Sequence, residues 1–492
     1  MAGPTPRDQP ERPGGRLGLR ASSPFARTAP AVVSAWVFAA ATLVWLVAGD
    51  RLPGGRWLAV HLFTLGVLTN LIWVFSQHFA TRFTAAPRPP HEVRRSLQAT
   101  LALDVGIVAL LAGHVAGLRW ALAGGTLVIV GVVGWSYLVL RGLRAHTAQT
   151  RFGWVVRAYG HAHLAFLAGA VLGGLLGIGV LSGRWYGAAR DAHLHANLLG
   201  WAGLTLLATL VVFGPALLRA RMAEGADERA GRALPWGAGG LAVAVAALMA
   251  TGAGGTAATV TRWLAIGGLV VYLWATWVVV APLLRVAWHA GRSPLRWTVM
   301  GACLWLPVAL VIDLAVVATD ARAWFDLVGL LLLVGVLAQI VLTVMVHLAP
   351  LLRGQDAVAR GRIHGAAERF ALGRALLLNL GVLVVAVAYA LPRLTTVETG
   401  ATAVAGWVAI ALGVAAHLAV VVWPAGGSVG GPQADEPEEQ QRGAEPHEPP
   451  LPSRARQPRG ARDEPQHDHE LERHADVGGR HHESVQASAS LA

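Results

Sequence analysis

Apolar residues in this chain fall into long unbroken runs, with neither the alternation of a half-buried strand nor the narrow stripe of a soluble surface helix. About twelve runs of roughly 20 residues recur, the length needed to cross a bilayer core. Their limits lie near 29–49, 57–80, 97–118, 120–140, 154–182, 191–218, 235–253, 262–283, 297–318, 324–351, 370–392 and 400–423. The pattern predicts an all-α, polytopic membrane helix bundle of about 12 transmembrane helices over residues 29–423. Residues 1–28 hold Pro, Gly and five arginines without apolar period, and residues 424–492 hold Pro, Glu, Gln, Arg and His with almost no aliphatic side chains. Neither end can bury a core, so a disordered basic arm and a disordered polar tail are expected. The first apolar run is long enough to span and remain, so no cleaved leader is expected.

Arginine alternates between the connections. It is dense after the second, fourth, sixth, eighth and tenth runs, as in Arg94 and Arg95 or Arg353, Arg360 and Arg362, and sparse after the others. The positive-inside rule then places both termini in the cytoplasm of a multi-pass cell-membrane protein. Tryptophans at run ends (Trp57, Trp120, Trp154, Trp185, Trp263, Trp297, Trp324, Trp423) fit an interfacial belt.

Composition agrees: 54% hydrophobic with 14% charged residues excludes an ordinary soluble domain. All 40 basic residues are arginine, giving a net charge of +12 that would also suit nucleic acid. Their place between apolar runs makes membrane lipid the expected partner, and no nucleic acid is expected. The single cysteine, Cys303, lies inside an apolar run. A disulfide framework or thiolate cage within one chain is therefore excluded, and any metal must rely on His, Met or carboxylate.

Histidines open three of the apolar stretches: His61 and His78 in Val60–Phe79, His161 and His163 in the stretch from Tyr159, and His193 and His195 in Asp191–Pro215. Glycine follows His61 and His195 by five residues (Gly66, Gly200), with Ala168 at that place after His163. A small residue there leaves room for a bulky group or a close helix. Topology sorts the histidines into two layers. His61, His114, His193 and His195 belong near the outer face, and His78, His161, His163 and His347 towards the cytoplasm. His61 and His78 are roughly 25 Å apart along a helix, too far for one metal. His193 and His195 point about 200° apart, so one helix face cannot present both.

A haem needs one or two neutral imidazoles on facing helices, and a copper site about three clustered imidazoles. His114 and His417 fit a hydrogen bond to a neighbouring helix, while His78 and His347 also suit contact with headgroups. Asp104, deep in the third run, should be neutral, paired with arginine, or part of a proton path. Asp313 is expected near solvent, and Arg157 as a topology anchor within reach of a cofactor carboxylate. The glycine strings at 173 and 237 read as packing surfaces, because no strand precedes and no Lys-Ser/Thr follows. The tail histidines His467, His469, His474, His481 and His482 show no repeated ligand spacing.

The segment His193-Leu194-His195-Ala196-Asn197-Leu198-Leu199-Gly200-Trp201 resembles a helix motif in relatives of subunit I of haem-copper oxidases and nitric oxide reductases. The segment His61-Leu62-Phe63-Thr64-Leu65-Gly66-Val67-Leu68-Thr69-Asn70, closing with Ser76-Gln77-His78-Phe79, is similar to the NnrS family of haem- and copper-containing membrane proteins. It is similar also to the membrane part of bacterial copper oxidase or nitrite reductase fusions that carry cupredoxin domains. The likeness covers residues 30–423. It implies His61 and one of His193 and His195 as haem or copper ligands, His163 as a further candidate, and a soluble cupredoxin or cytochrome as electron partner. His78, His161 and His347 complete the metal candidates. No His-Pro-Glu-Val-Tyr and no adjacent His-His pair stands where the oxygen-reducing copper ligands would be, so the likeness does not extend to respiratory oxygen reduction. The expected function is a haem protein, with or without copper, for electron transfer or nitrogen-oxide chemistry. The alternatives are a proton-coupled transporter using Asp104, Asn197 and the histidines, and a copper-delivery or anchor protein for a separate copper enzyme.

Overall fold

A computed structural model describes residues 27–86, 91–147, 150–291, 293–353 and 357–422. The basic arm up to residue 26, Trp423 and the histidine-containing tail lie outside the described residues. All regular structure among the described residues is helical, and twelve helices are long and apolar enough to cross a membrane. They are span 1 (Ala29–Ala48), span 2 (Gly55–Phe83), span 3 (Glu92–Val115), span 4 (Arg119–His146), span 5 (Gly153–Gly177), span 6 (Gly183–Leu217), span 7 (Ala226–Ala253), span 8 (Gly255–His289), span 9 (Arg296–Thr319), span 10 (Arg322–Pro350), span 11 (Ala371–Leu394) and span 12 (Gly400–Val421). Large apolar side chains such as Val105, Leu127, Leu264 and Leu412 stand exposed along the spans, the surface that hydrocarbon would cover.

The helices outrun the apolar runs. Span 6 starts at Gly183 because Gly187, Ala188, Ala189, Asp191 and Ala192 are buried ahead of the apolar stretch, so His193 and His195 sit well inside a helix instead of at its start. A further helix, Ala357–Glu368, lies between spans 10 and 11. Of the belt tryptophans, Trp120, Trp185 and Trp263 are exposed, but Trp154 is buried among core side chains and Trp57 is stacked on histidines.

Spans 2, 6 and 10 each contain an eight-residue π-helical segment: Leu62–Thr69, Ala196–Gly203 and Leu331–Ala338. The residues just before these are His61, His195 and Leu330. Five residues after each comes a glycine, Gly66, Gly200 or Gly335, and the preceding span fills it. A Cβ at Gly66 would stand 2.3 Å from the Phe38 ring, one at Gly200 2.4 Å from Ala165 Cβ, and one at Gly335 3.1 Å from Trp305. The room beside the histidines is thus taken by a close helix.

The following pairs of spans form hairpins that cross at facing glycines. Gly106 meets the Gly125 carbonyl between spans 3 and 4, Gly240 meets Gly268 between spans 7 and 8, and Gly381 meets Gly406 between spans 11 and 12. Without side chains the backbones approach closely, which is how membrane helices gain packing when burial from water offers nothing. The bundle therefore repeats a four-span unit three times: spans 1–4, 5–8 and 9–12.

A π turn replaces i→i+4 bonds by i→i+5 bonds and leaves carbonyls to be satisfied elsewhere. Asn70 Nδ2 donates to Gly66 O (2.9 Å), Tyr272 O–H from span 8 to Leu199 O (2.8 Å), and Gln339 Nε2 to Gly335 O (2.9 Å). One buried side chain closes each unit's wide turn.

Gly66→Ala is expected to destabilise the protein by about 1–3 kcal/mol, because the methyl overlaps Phe38. In the double variant with Phe38→Ala the two costs should not add. Thermal unfolding of the four proteins of this cycle in detergent measures the coupling.

Candidate functional site

The end of the bundle carrying the arginine-poor connections gathers three of the sequence's histidines. His61 Nδ1 donates to Trp57 O, one turn back in span 2 (2.8 Å). The Trp57 ring lies stacked against both His61, at 3.9 Å between centroids, and His114 of span 3, at 3.7 Å. His193 of span 6 donates from Nδ1 to Gly169 O of span 5 (2.8 Å), its ring lying against Gly173, where a Cβ would meet it at 2.7 Å. His193 and His114 are both near enough to act electrostatically on His61. In His61 and His193 the Nδ1–H is committed to a backbone carbonyl, leaving Nε2 as the lone-pair nitrogen; this is the tautomer that ligates a metal. Asn197 packs beside His193, Nδ2 donating to His193 O at 2.9 Å.

His195 faces the other way, as its spacing from His193 requires. Its Nδ1 donates to Asp191 O (2.7 Å), and Nε2 lies 3.0 Å from Asp313 Oδ2 of span 9, with both side chains buried. The expectation of a solvated Asp313 fails because the turn of span 9 that carries it faces the core. The couple shares one proton between Nε2 and Oδ2, so His195 has no lone pair to offer a metal while the contact holds. Beside it is a small crevice lined by Asp191, Thr251, Arg262, Asp320, Arg322 and Phe325. Arg322 bridges Asp191 (3.3 Å) and Asp320 (3.1 Å), Arg262 pairs with Asp320 (3.0 Å), and Arg190 lies 3.4 Å from Asp191. Phe325 presents its ring to both His195 and Arg190.

His163 belongs to a different network, towards the arginine-rich end. Arg27 donates to Gln77 and pairs with Glu92; Gln77 Nε2 donates to Ser136 Oγ (2.9 Å); Ser136 O–H donates to His163 Nε2 (2.9 Å); and His163 Nδ1–H reaches Tyr159 O (2.7 Å). Both ring nitrogens are used, and the ring is fully buried edge-on to Trp201. The chain of bonds ties spans 2, 4 and 5 through His163.

The remaining candidates are dispersed. His161 is partly buried near Arg144 and the exposed Arg157. His78 is buried beside Phe79, and His347 stands near His364 and Arg219. His78 and His347 occupy matching places, seventeen residues after His61 and Leu330. His417 is buried and bonds Gly413 O of its own helix (2.8 Å). Asp104 accepts from Ser34 and from Asn70 Nδ2 (2.9 Å), and no ion pair among the described residues includes it.

Among the described residues, no group of three or more His, Cys, Asp or Glu is arranged to hold a metal ion. Of the three histidines gathered at this end, His61 and His193 are the two whose Nδ1–H is held by a backbone carbonyl. No model of a known protein family matches the chain, and no curated protein matches it.

Asp313→Ala strands His195 Nε2 in the core and should destabilise the protein by about 1–3 kcal/mol. Asp313→Asn, which keeps a polar partner, should cost less. Melting temperatures of the two variants in detergent, beside His195→Ala, check the order.

Proposed function

We propose that this multi-pass membrane protein is a redox protein that holds haem iron with His61 and His193 near its arginine-poor face. The observation that supports this reading is the pair of imidazoles on spans 2 and 6, each with Nδ1–H fixed by a backbone carbonyl and Nε2 free to accept. This donor set fits a haem, which takes one or two neutral imidazoles, better than a three-imidazole copper site. Bound haem supplies reversible one-electron chemistry.

The protein's own groups orient and shield. The carbonyls of Trp57 and Gly169 fix the rotation of the two rings, and the Trp57 indole covers one face of His61. Gly173 gives the His193 ring the space a methyl would take. His195, engaged with Asp313, stands outside the ligand pair, and Leu330 leaves the third unit without an imidazole at that depth. The twelve spans, with a histidine directly before the π segment in two of the three units, support kinship with haem-copper oxidase subunit I and the NnrS family. Through that kinship we assign electron transfer or nitrogen-oxide chemistry, with a soluble cupredoxin or cytochrome as electron partner.

The His195–Asp313 couple beside a charged crevice favours a second reading, proton-coupled transport, since intramembrane Asp–His pairs serve as proton relays. Optical spectra, oxidised and dithionite-reduced, with iron and copper quantified on the same purified sample, separate the two. The haem reading predicts a Soret band that shifts on reduction and is lost in His61→Ala or His193→Ala. A colourless, iron-free protein from haem-supplied cells contradicts it.

A further inference from the structure

The three-fold repetition lets one unit be compared with another inside a single molecule. In the third unit Gln339 of span 10 and Asn379 of span 11 form a reciprocal amide pair. Gln339 Nε2 donates to Asn379 Oδ1 (3.0 Å), and Asn379 Nδ2 returns to Gln339 Oε1 (3.2 Å). The remaining N–H groups go to Gly335 O (2.9 Å) and Ala375 O (2.8 Å), and Trp305 Nε1 donates to Asn379 Oδ1 (2.8 Å). Both amides are fully used.

The counterparts in the first unit are Asn70 and Asp104. Asn70 Nδ2 spends one N–H on Gly66 O (2.9 Å), as Gln339 does on Gly335 O, and the other on Asp104 Oδ1 (2.9 Å). Ser34 O–H donates to the other carboxyl oxygen. Asn70 Oδ1 is then left without a donor, on a side chain with no exposed surface. Flipping the amide does not help, because Gly66 O and an ionised Asp104 both need donors. A buried acceptor without a donor costs about 1–3 kcal/mol, and a carboxylate among membrane helices without a cation costs more.

We infer that Asp104 is a proton-binding site of the membrane domain, its carboxyl O–H donating to Asn70 Oδ1 and closing an acid–amide pair where the third unit has an amide–amide pair. A protonated Asp has the shape of Asn379, its single O–H standing in for the N–H that Asn379 gives to Gln339 Oε1. The groups packed around it do not offer an alternative. Span 1 carries no charged or titratable residue between Ala29 and Ala48, and Arg27 before it is engaged with Glu92 and Gln77. Span 2 has Arg56, His61, His78 and Arg82, span 3 has Glu92, Arg94, Arg95 and His114, and span 4 has Arg119, Tyr137, Arg141, Arg144 and His146. None of these bonds to Asp104, whose partners are the neutral Ser34 and Asn70. Loss of the proton would set two acceptors against each other. Because Asn70 also closes the wide turn after His61, that loss is felt at the π segment.

The third unit also supplies the test variant. Asp104→Asn recreates the Gln339–Asn379 pattern and should fold with stability equal to or above that of the wild type. Infrared difference spectra of the purified protein at neutral pH should contain the C=O stretch of a protonated carboxylic acid. That band should shift in D2O, vanish in Asp104→Asn and persist in Asp313→Asn. Ser34→Ala, which removes one hydrogen bond from the carboxyl, should move the band without abolishing it. Identical wild-type and Asp104→Asn spectra in this region, or a band unmoved by Ser34→Ala, would overturn the assignment.

Discussion

A wide helical turn placed in hydrocarbon frees carbonyls that water cannot reach, so the protein itself must satisfy them. This chain contains three such turns, in spans 2, 6 and 10, and each is closed by a buried side chain: Asn70, Tyr272 and Gln339. Those side chains lock the turns against neighbouring spans. The glycine in each turn accepts Phe38, Ala165 or Trp305 from the span before it, and the paired glycines of the hairpins bring the later spans of each unit together. Repeating the arrangement gives the bundle its three units.

The same device positions chemistry. His61 and His195 directly precede two of the π segments, and Leu330 precedes the third. On span 6, two residues of separation send His193 towards span 5 and His195 towards span 9, so one helix serves two environments. One imidazole keeps an accepting nitrogen near His61; the other shares a proton with Asp313. The polar pair of the first unit, Asn70 and Asp104, stands where the third unit has Gln339 and Asn379, and the carboxyl in place of the second amide turns a packing lock into a titratable one.

Much of this was legible in the sequence. Twelve apolar runs predicted twelve spans, because length and hydropathy alone decide what crosses a bilayer. The glycine strings at 173 and 237 do serve as packing surfaces, receiving His193 and Ala275. The opposite headings of His193 and His195 followed from helix periodicity. Helix ends did not, since the polar turn Gly183–Asp191 is helical through burial against its neighbours. The π segments left no mark beyond the glycine five residues after His61, His195 and Leu330, and the three-fold repeat rests on a few glycines and amides scattered through interchangeable aliphatic residues. Depth could be read from topology, but rotation about each helix axis could not. Hence Asp313 was expected in solvent and is buried on His195, and His163, which shares the sequence pattern of His61, is fully hydrogen-bonded to Ser136 and Tyr159.

Electron paramagnetic resonance of the oxidised, purified protein tests the central claim most directly. Ligation by His61 and His193 predicts a low-spin ferric signal, converted to high spin by His193→Ala and retained in His163→Ala and His195→Ala. A protein without a ferric signal, or a signal indifferent to His61 and His193, would contradict it.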